Sequence, residues 1–543
     1  MVSREKSRFP LLLLVITTII LLIIVFRTIF SMLRASGEAK KYTNPVVASR
    51  VVRGTIYDTD GRIIAIERPF YSCALLLKEV KDIAEVAAKL GPILALPPEE
   101  IVRESSQYNT YYLIKKRLKD GEVDQIRALK LKGVTLEKQY GRFYPQHYHA
   151  SQVIGFTNSE NEGLEGIELS LNDLLLPLPR LNEKITYGED LYLTLDMSLQ
   201  YLLDEQAVLI DRVHNPDEIS AIIMDAKTGA ILAMTNFPWY DPNEFTHSTP
   251  QVRQNRVITA QFEPGSVFKI FSLAALLESN QADFSEPFFC DGSYTYTTGS
   301  GQQVTVNCTE PHGYVDPQGM LKYSCNGAVA HWALQSDSNS FYDHLVDLGL
   351  TTKWPLELPG VAKGTLKGVD SWSGRSKATI AFGQEVAVSA LQLATAATAL
   401  TNDGDLLTPY IVKDDRHQRN VAQKGVISSA TAQEVLKGMV QASEAGGTAV
   451  RSAVNGVKVA SKTGTAQIIN PQSGRYDEGA FLASTLSIFP ADDPAYIIFI
   501  GVKNPKGATI WGANIAAPAI ASIINSMVSQ GKIISTVSEK VSL

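Results

Sequence analysis

The feature that most constrains this chain is a punctuated apolar run, in which Glu263-Pro264-Gly265-Ser266-Val267-Phe268-Lys269 passes without a break into Ile270 to Leu277. Pro264 and Gly265 interrupt the backbone, and the residues behind them are apolar nearly all round. The run therefore reads as a buried helix with Ser266 and Lys269 in its first turn. Positions i and i+3 share a helix face, which sets an amine beside a hydroxyl. They meet at a helix N-terminus, where free backbone N–H groups and the dipole favour a developing anion. A serine hydroxyl needs such a base to attack a carbonyl.

A Ser and a Lys three apart arise by accident about once or twice in a chain of this size, and Ser3 with Lys6 and Ser529 with Lys532 are such accidents. Two further motifs give the first its weight, Ser324-Cys325-Asn326 and then Lys462-Thr463-Gly464-Thr465. Their decoys, Ser159-Glu160-Asn161, Ser170-Leu171-Asn172 and Lys227-Thr228-Gly229, all precede Ser266. One ordered set remains. It resembles the active site of the penicillin-binding proteins and serine β-lactamases, with Cys325 in place of the Asp of the commoner form. Val267 stands where Thr is frequent and Ser461 where Gly is frequent, and neither replaces a motif serine or lysine.

The 543 residues allow two domains plus accessories. A net charge of −6 and an ordinary apolar content point neither to a nucleic-acid partner nor to general disorder. Phe9 to Phe26 is apolar over about the length of a membrane-crossing helix. Arg4, Lys6 and Arg8 precede it against Glu5 alone, so the N-terminus is expected to stay cytoplasmic and the rest to lie outside. A cleaved signal peptide competes, with small residues at Ala35, Ser36 and Gly37. The run exceeds the usual signal core, and Arg27 and Arg34 lie between it and any such site, which favours a retained anchor.

After a polar linker, Arg53 to Ala65 alternates on both sides of Asp60-Gly61, a hairpin signal with Gly61 at positive φ. Ile83 to Leu131 is mostly helical in pattern, with a new segment starting at Pro97-Pro98 ahead of Glu99 and Glu100. Asp190 to Asp196 reads as a strand and Ser198 as the start of a helix. Ile219 to Asp225 and Ala230 to Met234 read as strands joined by a turn that holds the decoy Lys227. Cys290 to Val315 reads as loop or short strands, and a helix follows Gly383-Gln384-Glu385. The third motif lies on a strand, strands follow at Ser484 to Phe489 and Tyr496 to Val502, and Pro518 opens a last helix. This order suits an α+β fold with an antiparallel sheet covered by helices.

The hairpin, Arg142-Phe143-Tyr144-Pro145, Ile154-Gly155-Phe156 and Gly163 to Glu168 resemble the pedestal of class B penicillin-binding proteins, whose polar residues hold that domain together. The resemblance covers Arg53 to about Pro518. It implies a cytoplasmic tail at 1–8, a transmembrane anchor at 9–30, a mixed, dimerisation-type pedestal at 48–185 and a transpeptidase domain at 190–533. It implies a peptidoglycan D,D-transpeptidase, single-pass in the bacterial inner membrane with its catalytic domain periplasmic. Such an enzyme acylates Ser266 with a stem peptide, releases D-alanine and passes the acyl group to an amine; β-lactams would trap it. No room remains for a fused glycosyltransferase between anchor and pedestal, so a separate membrane glycosyltransferase of the SEDS type and other divisome or elongation proteins are the expected partners. The short pedestal and the Gly383-Gln384 segment lean toward the cell-division branch.

In that scheme Lys269 is the base, Ser324 relays a proton, Asn326 positions the substrate amide and the lysine, and Lys462 supplies a positive field. Thr463 and Thr465 bind the peptide carboxylate, Gly464 lets the peptide lie along the strand edge, and the Ser266 and Thr465 N–H groups form the oxyanion hole. A D,D-carboxypeptidase using water as acceptor, a β-lactamase, and a non-enzymatic β-lactam sensor or divisome scaffold are the alternatives. The resemblance implies no metal or other cofactor. Cys73, Cys290, Cys308 and Cys325 are too few for a disulfide framework and show no zinc-type spacing, so they read as reduced thiols or as one Cys290–Cys308 disulfide. His312 is expected to be structural, because the resemblance assigns no catalytic histidine.

Overall fold

The computed structural model describes residues 19, 21–28, 50–180, 183–414, 420–470 and 473–535. The chain divides into two compact units. The smaller comprises residues 1–52 and 178–186. Its described part holds helical residues 21–28 and the strand Arg50–Val52, with the Arg50 N–H donating to Lys184 O at 3.0 Å. Most of the expected anchor, residues 9–30, and the tail at 1–8 lie outside the described residues.

The larger unit comprises 53–177 and 187–543. It opens with the expected hairpin, β1 (Ile56–Tyr57) and β2 (Ile63–Leu76), with Gly61 at φ 85° in the turn. Helix α1 (Ile83–Leu94) is capped by the Asp82 side chain, and α2 (Pro98–Ser105) starts on the proline pair with Glu99 and Glu100 in its first turn. The helical pattern then breaks. Tyr111–Lys115 is a strand, β3, paired with β2, where aromatic and β-branched side chains override the surrounding helical spacing. Helix α3 (Asp120–Leu129) and β4 (Val134–Phe143) complete this region, β4 pairing with β2 over ten residues.

A buried ionic cluster ties these elements together, as expected of the polar pedestal residues. Glu168 accepts from Arg53 Nε at 2.6 Å and from Arg142 Nε at 2.5 Å, with all three side chains fully buried. Arg53 also donates to Asn172 Oδ1 and Arg142 to Gly54 O. The stretch expected to be one strand from Asp190 enters a ladder only as β5 (Leu191–Tyr192), parallel to β1. Leu193 then turns to bridge Val412, so the alternation is kept while the partner changes.

Helix α4 (Met197–His214) is capped by Asp196. It leads to β6 (Glu218–Asp225) and β7 (Ile231–Phe237), joined by the turn that contains Lys227. Helix α5 (Lys269–Ser279) follows, then four short strands: β8 (Phe288–Cys290), β9 (Ser293–Thr297), β10 (Gln303–Asn307) and β11 (Gly313–Val315). Next come α6 (Pro317–Tyr323), α7 (Asn326–Gln335), α8 (Ala390–Ala396) and α9 (Ser429–Ser443). The chain closes with β12 (Ala460–Ile469), β13 (Tyr476–Phe489), β14 (Tyr496–Lys503) and α10 (Gly512–Ser529).

Five of these strands form one antiparallel sheet in the order β12-β13-β14-β6-β7. Alternation buries both faces. Ile222, Met224, Leu486 and Phe499 join the cluster that includes α5 and α8, and Ile223, Ile498 and Ile500 join the one that includes α4 and α10. Helix α10 has the length and hydropathy of a membrane span, yet Ile515, Ile520, Ile523 and Ile524 are buried against the sheet, so it is a core helix. It begins at Gly512 and not at Pro518 as expected; Pro518 lies inside it, its missing N–H forgoing one bond while the face-wide burial holds the helix. The expected pedestal and catalytic stretches share one continuous core from Ile56 to Phe499.

Candidate active site

Three elements converge beside the edge strand β12. The first is the turn before α5. Gly265 sits at φ 53° and its N–H donates to Gly383 O, while the Glu263 carboxylate accepts from the Glu385 N–H and the Tyr476 hydroxyl. Gly265–Phe268 is a 3-10 turn, so Ser266 precedes the α-helix where an α-helical first turn was expected. In 3-10 geometry i and i+3 eclipse, which aligns Ser266 with Lys269 more directly than α geometry would. Lys269 Nζ lies 3.1 Å from Ser266 Oγ, and Ser266 is partly exposed at the end of an otherwise buried helix.

The second element is the link between α6 and α7. Ser324 adopts the left-handed conformation at φ 58°, costing about 1–3 kcal/mol for a non-glycine residue. That conformation aims its hydroxyl between two amines. Ser324 Oγ is 3.1 Å from Lys269 Nζ and 2.9 Å from Lys462 Nζ, and its carbonyl accepts from Lys269 at 2.5 Å. Asn326, at the start of α7, donates to Asn307 O at 2.9 Å; it lines the cavity, and the lysine contact on this link is made by Ser324.

The third is β12 itself. Lys462 also donates to Thr463 O at 2.9 Å, and Thr465 Oγ1 accepts from the Gly512 N–H at 3.3 Å. Gly464 does more than leave a strand edge open. A Cβ there would stand 2.8 Å from Ser484 Oγ, 2.9 Å from Val267 Cγ2 and 3.1 Å from Pro264 O. Its bare backbone is what lets the Ser266 turn press against the strand.

Both lysines are fully buried. Burial disfavours the ammonium form and lowers Lys269 to about 8, against a smaller opposing effect of the Cys325 and Cys308 thiols. Burial, and then the nearby Lys269 charge, hold Lys462 well below the ordinary lysine value. A neutral amine near pH 7 is therefore attainable next to a partly exposed hydroxyl. A cavity of about 530 Å³ opens over the group, lined by Ser266, Ser324, Asn326, Thr463, Gly464 and Thr465. Every site residue expected from the sequence lies here or, for the two lysines, directly beneath it. Thr448, Phe481 and Trp511 also line the cavity, and Trp511 is half exposed. They come from separate parts of the chain as isolated residues, and no spacing announces them.

The cysteines are reduced thiols, one of the two states expected, but the expectation of no zinc-type grouping needs correcting. Cys290, Cys308, Cys325 and His312 bring their Sγ and ring nitrogen atoms within 4.8 Å of one another, a group that could hold a metal. Hairpin closure of β8 with β11, and of β9 with β10, gathers positions the linear spacing keeps apart. Cys308-x₃-His312 was the available signal. Cys290 and Cys308 do face each other, as free thiols with Sγ atoms 3.6 Å apart. A hydrogen bond from the Cys325 thiol and backbone N–H groups at the start of α7 hold the Cys308 thiol below its usual value, and that partner pushes Cys325 up.

Comparison with known proteins adds independent findings. Residues 219–525 match the penicillin binding protein transpeptidase domain, and residues 48–174 the penicillin-binding protein dimerisation domain. The chain is 30% identical over 498 residues to the probable peptidoglycan D,D-transpeptidase PenA of Neisseria meningitidis, covering 87% of this chain and 83% of the relative. It is 28% identical to stage V sporulation protein D of Bacillus subtilis, covering 87% and 77%. It is 27% identical to the peptidoglycan D,D-transpeptidase FtsI of Escherichia coli, covering 87% and 82%. In fold it resembles penicillin binding protein 3 of Mycobacterium tuberculosis, solved with aztreonam, at TM-score 0.69 and 24% identity over 89% of this chain and 97% of that one.

Proposed function

The chain belongs to the class B penicillin-binding proteins of the division type, and on that premise we propose that it is a peptidoglycan D,D-transpeptidase that cross-links stem peptides through an acyl-enzyme on Ser266. One observation carries the proposal: Lys269 lies 3.1 Å from both Ser266 Oγ and Ser324 Oγ, and Lys462 closes the chain at 2.9 Å from Ser324.

In this scheme neutral Lys269 takes the proton of Ser266 Oγ as the oxygen attacks the carbonyl of the penultimate D-alanine. The tetrahedral oxyanion is held by the N–H groups of Ser266 and Thr465. As the C–N bond breaks, Ser324 gives its proton to the departing D-alanine nitrogen and recovers one from the lysines on either side of it. The acyl group stays on Ser266 until an amine from a second stem peptide attacks, with the same groups moving protons in reverse. Thr463 and Thr465 bind the terminal carboxylate in the positive field of Lys462, and Asn326 holds the substrate amide.

The same reading assigns residues 48–185 to a pedestal, 190–533 to the transpeptidase domain and 9–30 to a single membrane anchor with the catalytic domain periplasmic. It places the enzyme in septal wall synthesis beside a SEDS-type glycosyltransferase. The test is an exchange assay with a pentapeptide ending in D-Ala-D-Ala and a D-amino acid acceptor. The expected result is D-alanine release matched by an exchanged peptide, abolished in Ser266→Ala. Release with only the hydrolysed tetrapeptide would instead indicate a carboxypeptidase.

A further inference from the structure

We propose that Cys290, Cys308, His312 and Cys325 form a Zn²⁺ site that braces the proton-relay loop of the active site. The four come from four separate segments: the end of β8, the residue after β10, the approach to β11 and the start of α7. Three of the six donor–donor edges match those of a tetrahedral coordination shell, and all six lie within 4.8 Å. Zn–S bonds of about 2.3 Å at tetrahedral angles require S···S edges of about 3.8 Å, and with Zn–N of about 2.0–2.1 Å an S···N edge of about 3.6 Å. The structure has Cys290 Sγ to Cys308 Sγ at 3.6 Å, Cys308 Sγ to Cys325 Sγ at 3.7 Å, and Cys290 Sγ to His312 Nδ1 at 3.4 Å.

Charge and second-shell groups agree. Binding releases the three thiol protons to solvent and leaves three thiolates and a neutral imidazole around the ion, a net charge of −1. The Gly327 N–H points at Cys308 Sγ at 3.3 Å and the Ala328 N–H at Cys325 Sγ at 3.4 Å, so the thiolates have backbone donors. His312 coordinates through Nδ1, and its Nε2, buried beside the Tyr323 ring, carries the proton. A disulfide accounts for the geometry less well. Cys308 is almost equally far from two thiols, both several times closer to a shell edge than to the 2.05 Å of an S–S bond.

The consequence reaches the reaction. Cys325 lies between Ser324 and Asn326, and Cys308 follows Asn307, whose carbonyl holds the Asn326 amide. The metal therefore acts as a clamp and its four ligands as positioning residues, fixing Ser324 in its left-handed conformation between the two lysines. Metal binding itself does not depend on the proposed transpeptidase activity, although the effect on acylation does.

The test is to purify the full-length chain in detergent under reducing conditions from zinc-supplied cells. Metal content is then measured by elemental analysis and native mass, and the chelated protein is titrated with Zn²⁺ and with Co²⁺ as a spectroscopic probe. The expected result is one zinc per chain and, with cobalt, the charge-transfer and d–d absorption of a tetrahedral thiolate site. His312→Ala and Cys308→Ser lose affinity by about tenfold or more, whereas His312→Cys, which still offers four ligands, keeps the metal. Metal removal from the unmutated chain raises amide exchange across Ser324 to Asn326, a readout that stands even where Cys308→Ser fails to fold. Zinc retained equally by His312→Ala and Cys308→Ser would mean adventitious binding and overturn the proposal. Reconstituted chain without zinc, whether its thiols titrate as free or its mass is lower by two hydrogens, would also overturn it.

Discussion

Two lysines buried side by side are costly for a folded chain, and their arrangement explains why the cost is kept. Lys269 and Lys462 converge on one hydroxyl, Ser324 Oγ. Because burial lowers Lys269 to about 8, its neutral fraction grows as pH rises toward that value. Lys462, Cys308 and Cys325 are the other titratable groups acting on it or near it. Acylation of Ser266 by a slow chromogenic β-lactam is therefore expected to rise about tenfold per pH unit below that value and to level off above it. A flat profile through this range would remove Lys269 from the role of base. Stability follows the same sign. The unfolded lysine holds its proton to about 10.5, so the lysine's unfavourable contribution is full below about 8 and fades as pH climbs from there. Lys269→Arg, charged at every accessible pH, is expected to slow acylation by on the order of 10²–10⁴ while leaving the fold intact by circular dichroism.

At the level of elements, the contact between β12 and the Ser266 turn sets the geometry. Gly464→Ala forces a methyl group into Ser484, Val267 and Pro264, an overpacking expected to cost about 1–3 kcal/mol. The displaced turn carries Ser266, so the acylation rate should fall far more than the melting temperature; equal, small losses in both would show that the turn has room to move. That these residues meet at one cavity was legible in the sequence because three short motifs stand in one order, and because α5 and β12 are strongly patterned elements. What the sequence hid has specific causes. The strand Tyr111–Lys115 sits among helical periodicities and owes its form to pairing with β2. The last helix runs through Pro518, where sheet packing outweighs one missing hydrogen bond. The 3-10 turn at Ser266 and the cysteine and histidine cluster depend on where Gly383 and two hairpins bring distant chain together, which periodicity does not encode.

At the scale of the molecule, the region before α4 and the five-stranded sheet share a core and polar seams. The Gln152 amide donates to Asn236, Pro238 and Val252 carbonyls, and Arg253 pairs with Glu165 at 2.8 Å. The Glu168 cluster lies far from Ser266 in role, and its loss separates stability from chemistry. Glu168→Gln leaves two buried arginines without their charge partner and is expected to cost about 3–5 kcal/mol, read as a lower denaturation midpoint, with the acylation rate per folded molecule unchanged. A matching fall in that rate would couple the cluster to the active site.

The most direct test of the central claim is the intact mass of the full-length protein incubated with penicillin, followed over time for the native chain and for Ser266→Ala. The account requires a long-lived adduct of one penicilloyl group on the native chain, mapped to the peptide containing Ser266, and no adduct on the folded variant. A native chain that stays unmodified, or a variant that is acylated equally, would contradict it.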